Sequence, residues 1–433
     1  MERKSACRDR APMGWNSWDC YGAAVTEEIV KKNADYMAKE LKAFGWEYVV
    51  VDIQWSSATA RNNEYHPFEE LCMDEYSRLI PAPNRFPSSK DGRGFAPLAE
   101  YVHSLGLKFG IHIMRGIPRQ AVHRNTPIKA SGADGRKLTA RDVAKTASIC
   151  VWNTDMYGVD PKKEGAKEYY ESLFSLYASW GVDFVKCDDI CRELPHEEEE
   201  LILLSRAMSE CGRDMVLSLS PGPALLEKAE LYKEVADMWR ITDDFWDQWD
   251  LLYAMFERAE KWSIHTGAGN WPDADMLPIG PLRQVYDPSE RTHFTREEQR
   301  TMMTLWSIFR SPLMIGGEMT GFDDFTRSLV TNEKILSIHK NARFSHQVWR
   351  RKRVDTELVL WLAISAEGGY YAALFNIGEK DAKYTLTTEE MEIGKIRTRE
   401  ELWSGETASD EDTFTAEVNA HDVKVWKLEV LEV

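Results

Sequence analysis

Through the N-terminal part of the chain, short runs of β-branched and aromatic residues alternate with stretches in which apolar side chains recur every three or four positions. The runs read as strands are 14–17, 48–53, 108–113, 183–187, 215–218, 238–241, 263–266 and 312–315. Between the first two, Val30, Ala34, Met37, Leu41 and Phe44 keep helical spacing, with Thr26 as N-cap, Glu27 and Glu28 in the first turn and Gly45 just past the end. The stretch 166–180 repeats this order: Tyr169, Tyr170, Leu173, Phe174 and Tyr177, then Gly181, then a strand. Strand–helix alternation predicts a parallel sheet, and eight such strands are the number that closes into a barrel. Two connections, 56–97 and 114–162, are too long for plain strand-to-helix loops; in a barrel such insertions belong on the C-terminal face. After His339 the pattern changes to β-rich runs at 357–364, 370–375, 384–387 and 423–430, separated by Gly, Asn and Asp. The predicted fold is therefore α/β: a (β/α)8 TIM barrel over residues 1–340, followed by an antiparallel β-sandwich over 341–433.

A chain of 433 residues, 43% of them hydrophobic, is long enough for both parts. Its 54 basic and 71 acidic residues give a net charge of −17, which repels nucleic acid and anionic lipid and leaves neutral small molecules as the easier partners. Residues 1–10 are charged rather than apolar, and no stretch approaches the length of about 20 apolar residues that spans a membrane. Seven cysteines without paired CxxC spacing indicate neither a disulfide framework nor a zinc site, and a reducing cytoplasm fits best. Sixteen tryptophans are many for this length; most are core, but indole faces also suit the C–H faces of sugars.

Three segments place charged residues at the ends of apolar runs. In Asp183-Phe-Val-Lys-Cys-Asp-Asp189, Lys186 and Asp188 are two apart and share one side of a strand, where the ammonium favours an ionised carboxylate. Met238-Trp-Arg-Ile-Thr-Asp-Asp244 is a second apolar run opening into Arg240 and two aspartates. Taken singly, either is a strand-end salt bridge. Two barrel strands ending in carboxylates can instead bracket a glycosidic bond, one acid protonating the leaving oxygen while the other attacks or directs water; spacing does not choose between Asp243 and Asp244. The third segment, Gly267-Ala-Gly-Asn-Trp-Pro-Asp-Ala-Asp275, is read as a glycine-rich turn after the seventh strand, with carboxylates that suit sugar hydroxyls. It lacks the spacing of a Ca2+ loop. His112 is read as a hydrogen-bonded structural residue, and the charged stretch 196–200 as a solvated helix start. The chain carries no GxSxG elbow, phosphate-binding loop or HExxH pattern.

With these segments in view, the chain resembles glycoside hydrolase family 27, the melibiase family of α-galactosidases and α-N-acetylgalactosaminidases. The likeness runs through Pro12-Met-Gly-Trp-Asn-Ser-Trp-Asp19, Val51-Asp-Ile-Gln-Trp55, Lys186-Cys-Asp188, Trp239-Arg240 with Asp244, and Asp273-Ala-Asp-Met-Leu277, in family order. The resemblance implies Asp188 as nucleophile and Asp244, four residues after Arg240, as general acid/base of a double displacement. Trp18, Asp52, Lys186, Arg240 and Asp275 would hold the sugar, with no metal or organic cofactor. Ser220 falls where galactosidases commonly carry a glutamate and N-acetylgalactosaminidases a serine beside the sugar's 2-position, so it is added to the substrate-binding set. The sequence departs from the family at Ile53, where a second carboxylate usually follows Asp52, and at Cys187, where an aromatic residue is usual. The activity implied is hydrolysis of terminal α-linked D-galactose or N-acetyl-D-galactosamine from a small oligosaccharide or glycan. A β-L-arabinopyranosidase is the alternative, that sugar sharing galactose's ring pattern without the 6-hydroxymethyl group. A non-catalytic carbohydrate-binding barrel would have no need of two flanking carboxylates, and a metal-dependent isomerase would need clustered ligands that the sequence lacks.

Overall fold

The computed structural model describes residues 7, 9–62, 64–192 and 194–431. Residues 1–6 and 8, on which much of the reading of a charged N-terminus rests, lie outside the described residues. Eight parallel strands lie side by side in chain order: β1 (Met13–Asn16), β2 (Tyr48–Val51), β3 (Lys108–Met114), β4 (Phe184–Asp188), β5 (Val216–Leu219), β6 (Met238–Arg240), β7 (Trp271–Asp273) and β8 (Leu313–Ile315). Strand β1 also pairs with β8, and Leu277, just past β7, donates its amide to the Met314 carbonyl at 2.7 Å. Those contacts join the two ends of the sheet into the predicted (β/α)8 barrel.

The seventh predicted strand is corrected. Residues 263–266 are not a strand: Leu252, Met255, Phe256, Ala259 and Trp262 are buried at helical spacing, and the helix Trp249–Ser263 runs through the start of that segment. Gly267 and Asn270 then exchange backbone hydrogen bonds in a tight turn, and β7 starts after it. The glycine-rich turn thus precedes the strand, and the two aspartates follow.

Alternation along the strands sorts their side chains. Tyr48 and Val50, Phe184, Val216, Met238, Trp271 and Met314 form one buried cluster inside the barrel, while Val49, Val51, Val185, Leu217 and Trp239 belong to the layer against the helices. Continuing the inward series by two residues reaches Asp52, Lys186 and Asp188, Ser218 and Ser220, Arg240, and Asp273 and Asp275. One parity rule therefore fills the barrel with apolar side chains and crowns its C-terminal end with charged ones.

Both long insertions stand on that end. The second carries an antiparallel pair of short strands, Ala144–Ile149 and Met156–Val159, after the helix Arg119–Arg124.

The C-terminal strands are β9 (Ala342–Lys352), β10 (Glu357–Ser365), β11 (Tyr370–Asn376), β12 (Ala382–Thr387), β13 (Ile396–Glu401), β14 (Thr407–Glu411), β15 (Thr413–Val418) and β16 (Val423–Val430). They form a six-stranded sheet, ordered β9-β10-β11-β16-β13-β14, and a two-stranded one, β12-β15. Leu358, Leu360, Ala372 and Leu374 face Leu386 and Phe414 between the sheets, whereas Val359, Trp361, Ala373 and Phe375 face the barrel. Against them lies the helix Arg296–Phe309, buried from Thr301 to Phe309 at every residue, as a helix covered on both sides must be. Arg300 fixes this contact by donating from Nε and Nη2 to the two carboxylate oxygens of Asp422, at 3.1 and 2.8 Å. Replacing Asp422 with Ala leaves that guanidinium, among the described residues, with Glu297 alone, at 2.9 Å; we expect the variant to lose about 1–2 kcal/mol of stability, read from its urea midpoint, with unchanged catalytic constants in the native range.

Candidate active site

The inward series of β2, β3 and β4 converge on Lys186. Its ammonium, 13% exposed, sits 2.9 Å from Asp52 Oδ2, which also accepts from Asn16 Nδ2 at 2.7 Å. Asp52 Oδ1 accepts the amide of Ile53 at 2.9 Å, so the carboxylate is held on both sides. Burial opposes charge on both partners, but each outweighs it for the other: Asp52 is kept below its ordinary value, helped by His112, and Lys186 above its own, helped by Asp188. Across the sheet register His112 stands beside Lys186, and its Nε2 lies 3.0 Å from Asp188 Oδ2. Asp188 Oδ1 accepts the Asp189 amide at 3.0 Å. Burial pushes Asp188 up; the hydrogen bond with His112, the charge of that ring when protonated, and Lys186 push it down further, so the carboxyl lies well below the usual carboxylate range. It faces the cavity as an anion.

The opposite side is organised by Arg240, 3% exposed, whose Nη2 lies 2.9 Å from Asp244 Oδ1 and 2.8 Å from Asp275 Oδ2. Asp244 is largely exposed and Asp275 buried. The guanidinium that the resemblance assigns to the sugar is thus already paired with Asp244. Asp275 also takes the amides of Phe245 and Met276, both at 2.8 Å. Asp273, below it, accepts the Asp275 amide at 2.9 Å; burial and the neighbouring Asp275 raise its carboxyl to about 7 against the pull of Arg240. Asp243 also lines the cavity and pairs with Arg192 at 2.9 Å.

These groups surround a cavity of about 310 Å³, near the lower end of ligand pockets, roughly 300–1,000 Å³. Trp18, Asp52, Lys186, Asp188, Arg240, Asp244 and Asp275 all line it. Ser220 does not: it lines a smaller cavity beneath, between Phe184, Ser218 and Asp273, while its neighbour Pro221 reaches the main wall. Further residues on the wall have no role assigned by any motif. Tyr65 stacks on Trp18, with ring centroids 5.8 Å apart and planes 8° apart, and Trp152 tilts against Tyr65 at 5.7 Å. Both come from the insertions, where no periodicity marks them. His112 touches Asp188 rather than serving only the core. Asp19, the last residue of the opening motif, is 2% exposed and lines the same cavity. Among the described residues, no three His, Cys, Asp or Glu side chains are grouped to hold a metal ion, and no helix is long and apolar enough to cross a membrane.

Comparison with known proteins gives a consistent picture. The family model described as alpha galactosidase A matches residues 11–123 and 156–341, and that of the alpha galactosidase C-terminal beta sandwich domain matches 355–428. A GH27 β-L-arabinopyranosidase from Geobacillus stearothermophilus superposes with a TM-score of 0.93 at 54% identity, over 97% of this chain and 96% of that one. A Bacillus halodurans protein provisionally described as an α-N-acetylgalactosaminidase gives 0.85 at 49% identity over the full length of both. The α-galactosidase of Coffea arabica is 27% identical over 96% of this chain and 93% of its own. The unmatched stretch 124–155 is the part of the second insertion that contributes Trp152.

The raised carboxyl of Asp273 has a consequence for stability. Between its ordinary 3.8 and about 7 the folded chain holds the proton more tightly than the unfolded chain, so its contribution to stability falls as pH rises through that window. Asp273→Asn keeps the oxygen that accepts the Asp275 amide but cannot ionise. Its melting temperature relative to wild type should therefore be higher at pH 8 than at pH 4; the same difference at both would show that Asp273 does not titrate in this way.

Proposed function

The chain belongs to the alpha galactosidase A family, glycoside hydrolase family 27, and on that premise we propose that it is an exo-acting β-L-arabinopyranosidase using Asp188 as nucleophile and Asp244 as general acid/base. The observation that carries the choice of sugar is Ile53: buried, on the cavity wall, and next in sequence to Asp52, where the family usually supplies a second carboxylate. A galactose hydroxymethyl oriented towards that carboxylate position would lose water without a replacement partner, at roughly 1–3 kcal/mol. Arabinopyranose carries only hydrogen there. The 54% identity to an enzyme of that specificity supports the same reading. D-Galactose remains the competing sugar, because Trp18, Asp52, Lys186, Arg240 and Asp275 are all retained. The N-acetyl reading loses the support of Ser220, which lies beneath the main cavity, and keeps that of the 49% identity to the Bacillus halodurans protein.

In the proposed reaction a carboxylate oxygen of Asp188 attacks the anomeric carbon as the bond to the leaving oxygen breaks, and that oxygen takes the proton of Asp244. Water then adds to the anomeric carbon, returns a proton to Asp244 and frees Asp188. His112 and Lys186 keep Asp188 anionic for the first step. The stacked rings of Trp18 and Tyr65 offer apolar faces to the C–H face of the sugar.

The test is release of p-nitrophenol from β-L-arabinopyranoside, α-D-galactopyranoside and α-N-acetylgalactosaminide. We expect the arabinopyranoside to have the highest kcat/KM, the first-formed sugar to keep its anomeric configuration by NMR, and Asp188→Ala to lose about a thousandfold or more. Preference for galactoside would overturn the sugar assignment, and an inverted product the double displacement. In Ile53→Asp the ratio of arabinopyranoside to galactoside kcat/KM should fall at least about tenfold, the effect of about 1.4 kcal/mol; an unchanged ratio would remove Ile53 from the argument.

A further inference from the structure

Asp19 lies in the short helix Trp18–Tyr21 that follows β1, and it is bounded by charged groups from four other strand ends. Its backbone is fixed, the carbonyl accepting from the Arg283 amide at 2.9 Å. Its Oδ2, in contrast, is buried and has no hydrogen-bond partner, although the residue lines the sugar cavity. An orphaned carboxyl oxygen in a folded interior is costly unless something else completes it. The space it occupies exists because residue 316, past β8, is glycine: a Cβ there would come 2.0 Å from Asp19 Oδ2.

The groups facing it are Asp275, Lys186, Asp244 and Asp52, three carboxylates against one ammonium. Burial first, and then the negative charge of Asp275, push the Asp19 carboxyl well above its ordinary value, with Lys186 opposing. In this wall ionised carboxylates can only accept hydrogen bonds, and Lys186 and Arg240 can only donate. A sugar hydroxyl has one hydrogen to give and lone pairs to fill, and a neutral carboxyl at Asp19 would add a donor on a stretch of wall where its neighbours Asp52 and Asp275 are acceptors.

We propose that Asp19 is a specificity-determining residue that meets the sugar as an uncharged carboxyl group, donating a hydrogen bond to one of its hydroxyl oxygens. The inference rests on the reading of this cavity as a pyranose site. It assigns to Asp19 a donor role that no ionised aspartate could fill.

The experiment compares Asp19→Asn, Asp19→Ala and wild type on the preferred p-nitrophenyl glycoside, with melting temperatures to establish folding and Asp19→Ser in place of the alanine variant should that one not fold. Asn is neutral, similar in size and both donates and accepts, so Asp19→Asn should keep kcat/KM within about threefold of wild type. Asp19→Ala should lose about 10- to 100-fold, the scale of one buried hydrogen bond. Against monodeoxy versions of the same glycoside, one position should cost wild type and Asp19→Asn alike and cost Asp19→Ala nothing further, a readout that mere structural damage would not produce. Asp19→Ala as active as wild type would overturn the contact, and Asp19→Asn falling as far as Asp19→Ala would overturn the uncharged donor. If wild type itself cleaves none of the three glycosides, the proposed function fails on its own. Asp19 is then judged by calorimetric binding of L-arabinose and D-galactose, where equal affinity of wild type and Asp19→Ala overturns the inference.

Discussion

The structure depends on a buried lysine. An ammonium at the mouth of a barrel can stay charged there only if carboxylates stand against it, and Lys186 has Asp52 at 2.9 Å and Asp188 two residues along its own strand. The pairing requires β2 and β4 to end at matching heights, with β3 between them supplying His112. Arg240 imposes the same condition on Asp244 and Asp275. The two cations are nonetheless outnumbered by Asp19, Asp52, Asp188, Asp244, Asp273 and Asp275, so each carboxylate that ionises opposes the next. The geometry divides them: Asp52 and Asp188 are held low, Asp19 and Asp273 are held high, and Asp275 is paired with Arg240. A wall that mixes anions with neutral acids is a more discriminating surface for a polyhydroxylated ring than one of uniform charge.

Most of the barrel was legible because its strands are short, apolar and separated by amphipathic helices with clear caps, as at Thr26 and Gly45. The seventh strand was not, since a three-residue strand containing Pro272 has no pattern of its own, whereas the segment before it continues an apolar helix. The strand-end charges could be read because a parity of two carries Phe184 to Lys186 and Asp188. Asp19 could not, because it sits in a helical turn where that parity lapses and because the glycine that makes room for it is almost 300 residues away. Tyr65 and Trp152 come from insertions whose conformation follows from contacts rather than local propensity. Ser220 shows the limit of alignment: the proline that follows it, rather than the serine, reaches the main wall.

The site thus combines two sources of information. Strand ends supply charge in positions fixed by the barrel's hydrogen-bond register, and insertions supply aromatic faces that can change without disturbing that register. Residues 124–155, outside the family match, belong to the second kind.

The helix Arg296–Phe309 belongs to neither kind. In most barrels the outer helices keep one face wet, and a following domain can be lost or exchanged. Here that face carries Thr301, Thr304 and Phe309, which meet His421, Trp403 and Trp361 of the C-terminal part, and the six-stranded sheet presses its own Trp361 and Phe375 onto the barrel. The two parts share one interior: exchanging the C-terminal sheet for an unrelated module would strip the barrel of part of its hydrophobic core.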